Sequence, residues 1–123
     1  MPRQVQIQNR SHALEQPLWA GYCESFFCRL RGLTFHGRLA PNEGLLLVQR
    51  RESRLDGAIH MLAVFDDLAI IWINADYTVV DSLHAKAWHL AYFPKRPAKY
   101  ILEIHPERIK DFKIGDKVTF IND

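Results

Sequence analysis

The sequence predicts a mainly β domain, a compact antiparallel β sandwich or barrel with one or two short helices. Three observations lead there. Gln4 to Gln8 (QVQIQ) alternates polar and apolar residues, the period-two signature of a strand with one buried face. Gly57 to Asp81 (GAIHMLAVFDDLAIIWINADYTVVD) is a long apolar stretch interrupted only by short polar breaks. Further apolar segments recur between clusters of turn-forming residues, the spacing expected of short sheet strands.

Taken in order, Gln4 to Gln8 is a half-buried strand and Leu18 to Tyr22 a second. Between Glu24 and Leu30 the period changes: Phe26, Leu30 and Leu33 fall at i, i+4 and i+7, one face of a short helix that Gly32 is placed to end. Ala40 to Gly44 is a turn cluster, Leu45 to Gln49 a strand, and the charged Arg50 to Gly57 a loop. Ile59 to Phe65 is the next strand, and Asp66-Asp67 marks a bend. Leu68 to Ile73 is a strand apolar on both faces, and Asn74 to Tyr77 is turn chemistry leading back into Thr78 to Leu83 as a hairpin. The alternation of Leu83, Ala85 and Ala87 with His84, Lys86 and Trp88 extends that strand or begins another. Pro94 and Pro97 bound a loop before the strand Tyr100 to Ile104. Pro106 opens a short helix with Ile109 and Phe112 on its inner side, and Ile114 to Lys117 turns into a last strand, Val118 to Ile121.

A chain of 123 residues is one domain of ordinary size, spanning 1–123. With 48% hydrophobic and 11% aromatic residues it can build a real core. The longest apolar run, Leu68 to Ile73, is far too short for a membrane-spanning helix. The first residues, MPRQVQIQNRS, lack the apolar core of a signal peptide, so a cytoplasmic protein is expected. Sixteen basic against 14 acidic residues is near balance, which argues against a dedicated nucleic-acid binder. The local basic clusters, Arg50, Arg51 and Arg54, and Lys95, Arg96 and Lys99, read as solvated loop ends. Cys23 and Cys28 are expected to be inert packed thiols without a disulfide, and they lack the partners a zinc site needs.

RLRGLTFHGRL (Arg29 to Leu39), NEGLLLV (Asn42 to Val48), AIHMLAVFDDLAIIWINADYTVVD (Ala58 to Asp81), AKAWHL (Ala85 to Leu90) and AKYILEIHPERIKDFKIGDKVTF (Ala98 to Phe120) follow one another in this order. The series resembles the family called domain of unknown function 192, over about residues 18–121. The resemblance implies a compact antiparallel β structure with a small helix, and it brings no assigned activity. His60 resembles an Ile-His variant of the family's central motif. Where that motif has proline and then aspartate, this chain has Asp67 and Ala69. A family site built on that aspartate would be absent here.

Two constellations stand out. His60 with Asp66 or Asp67 could pair as acid and base or hold a metal, but six or seven extended residues span roughly 20 Å, so they meet only if the chain folds back. His60 is therefore expected to be structural. His84, Lys86 and Trp88 share one strand face by period two. With His89 and Tyr92 they form the candidate ligand-binding set, suited to a small anionic or sugar-like molecule. There is no Gly-x-Ser-x-Gly elbow and no glycine-rich phosphate loop, so no catalytic residue, metal or cofactor is assigned. The reading is a non-catalytic β module for a small ligand or a protein partner. Its alternative is a metal-assisted hydrolase using His60, His84 or His89 with an aspartate.

Overall fold

The computed structural model describes residues 3–25, 28, 39–54, 66–87 and 92–122. Within them the strands are β1 (Gln4–Asn9), β2 (Trp19–Cys23), β3 (Glu43–Ser53), β4 (Leu68–Ile73), β5 (Val79–Ala85), β6 (Ala98–Ile104) and β7 (Val118–Asn122), with a 3-10 helix at Pro106–Asp111. They form one sheet in the order β5-β4-β6-β3-β2-β1-β7. All neighbours pair antiparallel except β2 and β3, which run parallel in the register Trp19↔Glu43 to Cys23↔Leu47. The mainly β expectation holds. Among the described residues the mixed seven-stranded sheet curls into a half-barrel.

β4 lies inside the sheet, between β5 and β6, and its side chains are apolar on both faces. All six of its residues are buried, and a strand with no polar side can only sit between partners and under two covers. Ala69, Ile71 and Ile73 pack into one apolar cluster with Val5, Leu46 and Leu102. Leu68, Ile70 and Trp72 pack into a second with Leu47, Ile101 and Ala85. Each fully buried Leu or Ile contributes about 1.5–3 kcal/mol relative to exposure, so the alternation fixes the register firmly. The β4–β5 hairpin turns as expected: Asn74 Oδ1 accepts from the Asp76 and Thr78 N–H groups at 2.9 and 3.0 Å.

The curl brings the two edge strands together at one end. Val79 N–H donates to the Asp116 carbonyl, Gly115 N–H to Val79 and Val118 N–H to Tyr77, each at 2.8–2.9 Å. Gly115 turns at φ 97, a left-handed angle that suits glycine. At the opposite edge of β3, a Cβ on Gly44 would fall 2.7 Å from the Glu103 carbonyl oxygen, so β3 and β6 need a glycine there.

Several expectations change. β3 runs on through Arg50 to Ser53, expected as loop, because Ser53 re-pairs with Ala98 after an irregularity beyond Val48. β5 stops at Ala85, so Lys86 lies past the strand. Cys23 and Cys28 are joined as a disulfide, not held as free thiols; a separation of five residues lets the chain loop back after β2. The expected strand Ile59 to Phe65, His60 itself, and most of the expected helix over Glu24 to Leu30 lie outside the described residues.

Candidate functional site

Among the described residues, a concavity lined by aromatic rings and a basic side chain lies where the sheet edges meet. It encloses about 280 Å³ and is lined by Arg3, Val5, Tyr22, Tyr77, Tyr100, Val118, Thr119, Phe120 and Asn122. β1 and β7 supply one wall, β2 and β6 the tyrosines, and the β4–β5 turn places Tyr77 at the rim. Tyr77 and Tyr100 stack with centroids 5.4 Å apart. Phe120 meets both edge-on, at 5.6 and 5.0 Å. Such contacts each contribute about 0.5–1.5 kcal/mol beyond area burial. Across the opening, the Arg3 guanidinium lies 4.2 Å from the Tyr22 ring centre.

Tyr77 is the residue that marks this place. Among the described residues it is the one non-glycine with positive φ, at 62°. Its ring is 43% exposed. A bulky side chain in the left-handed region carries strain of about 1–3 kcal/mol, and asparagine or glycine would fit with less. The backbone is held there by Tyr77 N–H to the Asn74 carbonyl and Val118 N–H to the Tyr77 carbonyl. Tyr100 Oη and Tyr77 Oη lie 3.4 Å apart. Burial, and then the Tyr77 hydroxyl, push the Tyr100 phenol well above its ordinary value, so it keeps its proton in neutral solution.

A second open concavity, about 430 Å³, runs along Gln6 to Asn9 and Ala13 to Pro17. It is larger but carries no aromatic ring and no basic side chain.

The predicted set is partly assembled. His84 Nε2 lies 2.8 Å from Asp67 Oδ2, and Asp67 Oδ1 accepts from the Ala87 N–H at 2.9 Å. Tyr92 Oη accepts from the Lys86 N–H at 2.9 Å. The bond from Ala87, then that with His84, hold the Asp67 carboxyl below its usual range. The structure thus joins His84, Lys86 and Tyr92 through the end of β5, while Trp88 and His89 lie outside the described residues. The aspartate near His84 is Asp67, which the sequence reading set beside His60. Among the described residues no cluster of three metal-ligating side chains exists.

Two buried charges were not foreseen. Glu103, next to last in β6 and 3% exposed, has no hydrogen-bond partner for Oε1 among the described residues. Its register neighbours are Leu45 and Ile70, and burial pushes its carboxyl up to about 8. Arg108, 5% exposed in the 3-10 helix, pairs with Asp111 and reaches the Pro41 and Gln16 carbonyls at 2.7 and 2.9 Å. The available signal for Glu103 was a charge set in YILEI; nothing local marked Arg108.

Residues 6–120 match the family profile DUF192, described as "Uncharacterized ACR". The chain belongs to the DUF192 family. A UPF0127 protein of Thermococcus gammatolerans is 32% identical over 108 residues, 84% of this chain and 69% of that protein. One from Thermococcus kodakarensis is 38% identical over 99 residues, 79% of this chain and 61% of that protein. The chain therefore spans about 60–70% of the length of these DUF192 relatives. Two crystal structures share the fold. A candidate transcription regulator from Sinorhizobium meliloti has a TM-score of 0.82 at 19% identity, over 96% of this chain and 92% of that one. A protein of unknown function from Novosphingobium aromaticivorans has a TM-score of 0.77 at 20% identity, over 94% and 83%. At such identities the likeness concerns the half-barrel alone. No helix among the described residues is long and apolar enough to cross a membrane.

Proposed function

We propose that this DUF192 chain is a non-catalytic binding module whose ligand occupies the aromatic mouth of the half-barrel. Tyr77 carries the reading. A strained, half-exposed tyrosine kept at a left-handed turn position is explained by what its ring does, which is to wall the mouth beside Tyr100. A pocket with rings on its walls and a few converging polar groups is the usual form of a small-molecule site. The near balance of charge supports a small ligand over nucleic acid. Screening a set of small fragments against isotope-labelled protein tests the reading. Binders should shift the amides of Tyr22, Tyr77, Phe120 and Asn122 and leave unchanged in composition. Binders that cluster elsewhere, or chemical turnover, would refute it.

A second reading rests on the Asp67–His84 pair, an orienting carboxylate and an imidazole at hydrogen-bond distance. It would make the end of β5, with His84, Lys86, Trp88, His89 and Tyr92, the ligand site, or the seat of metal-assisted hydrolysis. Metal analysis of untagged protein decides the latter: a stoichiometric transition metal favours it. As to compartment, the Cys23–Cys28 disulfide favours an oxidising one over the cytoplasm that the opening residues suggested. Thiol titration of protein taken directly from cells separates the two.

A further inference from the structure

We infer that the ligand of the mouth is a small planar ring bearing one carboxylate, an inference that rests on the binding-module reading above. Among the described side chains lining the mouth, Arg3 carries the one formal charge, while the hydroxyls and Asn122 can donate or accept. Arg3 offers only N–H groups. Its guanidinium lies against the Tyr22 ring, 4.2 Å from the centroid, and no carboxylate among the described residues pairs with it. A guanidinium held over a ring can still meet a carboxylate through its N–H groups in the two-pronged manner.

The tyrosine pair points the same way. Two hydroxyls 3.4 Å apart share one proton between them, and the second proton needs an acceptor from outside the pair. Tyr100 Oη donates to Tyr77 Oη, so the outward proton of the pair is that of Tyr77. Among the described residues lining the mouth there is no Asp or Glu. Lys99, with Nζ 5.7 Å from the Tyr100 ring centre, adds a second positive charge nearby. Asp76, beside Tyr77 in the turn, is not part of the lining, and Asp123, which follows Asn122 in sequence, lies outside the described residues.

The rings specify the rest of the ligand. Tyr77, Tyr100 and Phe120 are in mutual contact and Tyr22 also lines the mouth, so a flat molecule gains ring contacts there. A volume of about 280 Å³ sits at the lower end of small-molecule sites, which suits one ring and excludes a polymer.

Three probes test this on the full chain, followed by amide shifts of the mouth residues: benzoate, its neutral isostere benzamide, and acetate. Benzoate is expected to bind at least tenfold more tightly than either of the others. Arg3→Met should weaken benzoate at least tenfold, and leave benzamide within twofold. Arg3 is exposed at the start of β1, so the variant should keep the wild-type far-ultraviolet circular dichroism. Tyr77→Asn should weaken benzoate and benzamide alike. Equal affinity for benzoate and benzamide, or an Arg3→Met variant that binds benzoate as wild type does, overturns the carboxylate while the module stands. If no probe shifts a mouth residue, the carboxylate inference falls. The fragment screen then decides the module separately.

Discussion

Glu103 and Arg108 stand five positions apart, one in β6 and the other in the helix that follows, and both are buried. Their fates differ. Every arm of Arg108 is occupied: Nε by Asp111, Nη1 by Pro41 at 2.7 Å and Pro17 at 3.4 Å, Nη2 by Gln16 at 2.9 Å. It ties the Gln16–Pro17 and Pro41 loops to the helix with its charge intact. Glu103 has an oxygen with no partner among the described residues and an apolar register neighbour on each side. Its charge is given up instead, and it stays a neutral acid at physiological pH. A buried ion persists where geometry supplies partners on all sides, and loses its charge where it does not.

The largest test of the contrast is Arg108→Met. It leaves Asp111 and three carbonyls without their donor, which costs about 3–5 kcal/mol and lowers the thermal midpoint by about 15 °C in a domain of this size. Denaturant and thermal unfolding measure it. A loss below about 1 kcal/mol would mean that the loops are held without the guanidinium.

Glu103→Gln tests the other half. A carboxyl whose folded pKa is raised to about 8 from 4.5 binds its proton more tightly folded than unfolded. Its penalty is absent below about pH 4.5, grows as pH rises toward 8, and has reached about 3 kcal/mol at pH 7. The wild type should therefore lose stability between pH 5 and 8, and Glu103→Gln should be nearly level there. Urea midpoints across that window decide it. A level wild-type profile would show that Oε1 finds a partner in solution. Below the window Asp67, held under its usual value, acts in the opposite sense, since its contribution is lost as pH falls through its lowered pKa.

How much of this was legible follows from range. β4 and its turn could be read because their information is local: six apolar residues in a row, then Asn74 with a side chain that closes its own turn. β1 was read from alternation alone. The length of β3 was not, since Arg50 to Ser53 are held by pairing with a strand 45 residues later, Ser53 with Ala98. The disulfide is not legible locally, since two cysteines five positions apart meet only when the chain loops back after β2. Of the site, His84, Lys86 and Tyr92 were named, and the fold does gather them. The mouth was not named, because Arg3, Tyr22, Tyr77, Tyr100 and Phe120 come from five separate segments and only the curl makes them neighbours.

The same rule, satisfied against open, separates Tyr77 from Asp67 near the surface. Tyr77→Asn should change stability by no more than about 1 kcal/mol, because relief of a left-handed bulky residue offsets the lost ring contacts. Ligand binding at the mouth should nevertheless be lost. A destabilisation above about 2 kcal/mol would show the ring to be structural.

Asp67→Ala gives the smallest effect. Both carboxylate oxygens are already engaged, one by the Ala87 N–H and one by His84, and neither faces an unmet group. The pair is exposed, with His84 and Asp67 side chains 49% and 43% accessible, so water replaces most of what is removed. The cost should be about 0.2–1 kcal/mol at neutral pH, shrinking as the pH falls through the lowered pKa of the wild-type carboxyl. Hydrogen exchange at the Ala87 amide should rise, because its acceptor is gone, while amides at Tyr77 and Phe120 stay as they were. If Asp67→Ala instead abolishes ligand binding with stability unchanged, the engaged carboxylate is positioning His84 for a ligand. The end of β5, rather than the aromatic mouth, would then be where this half-barrel does its work.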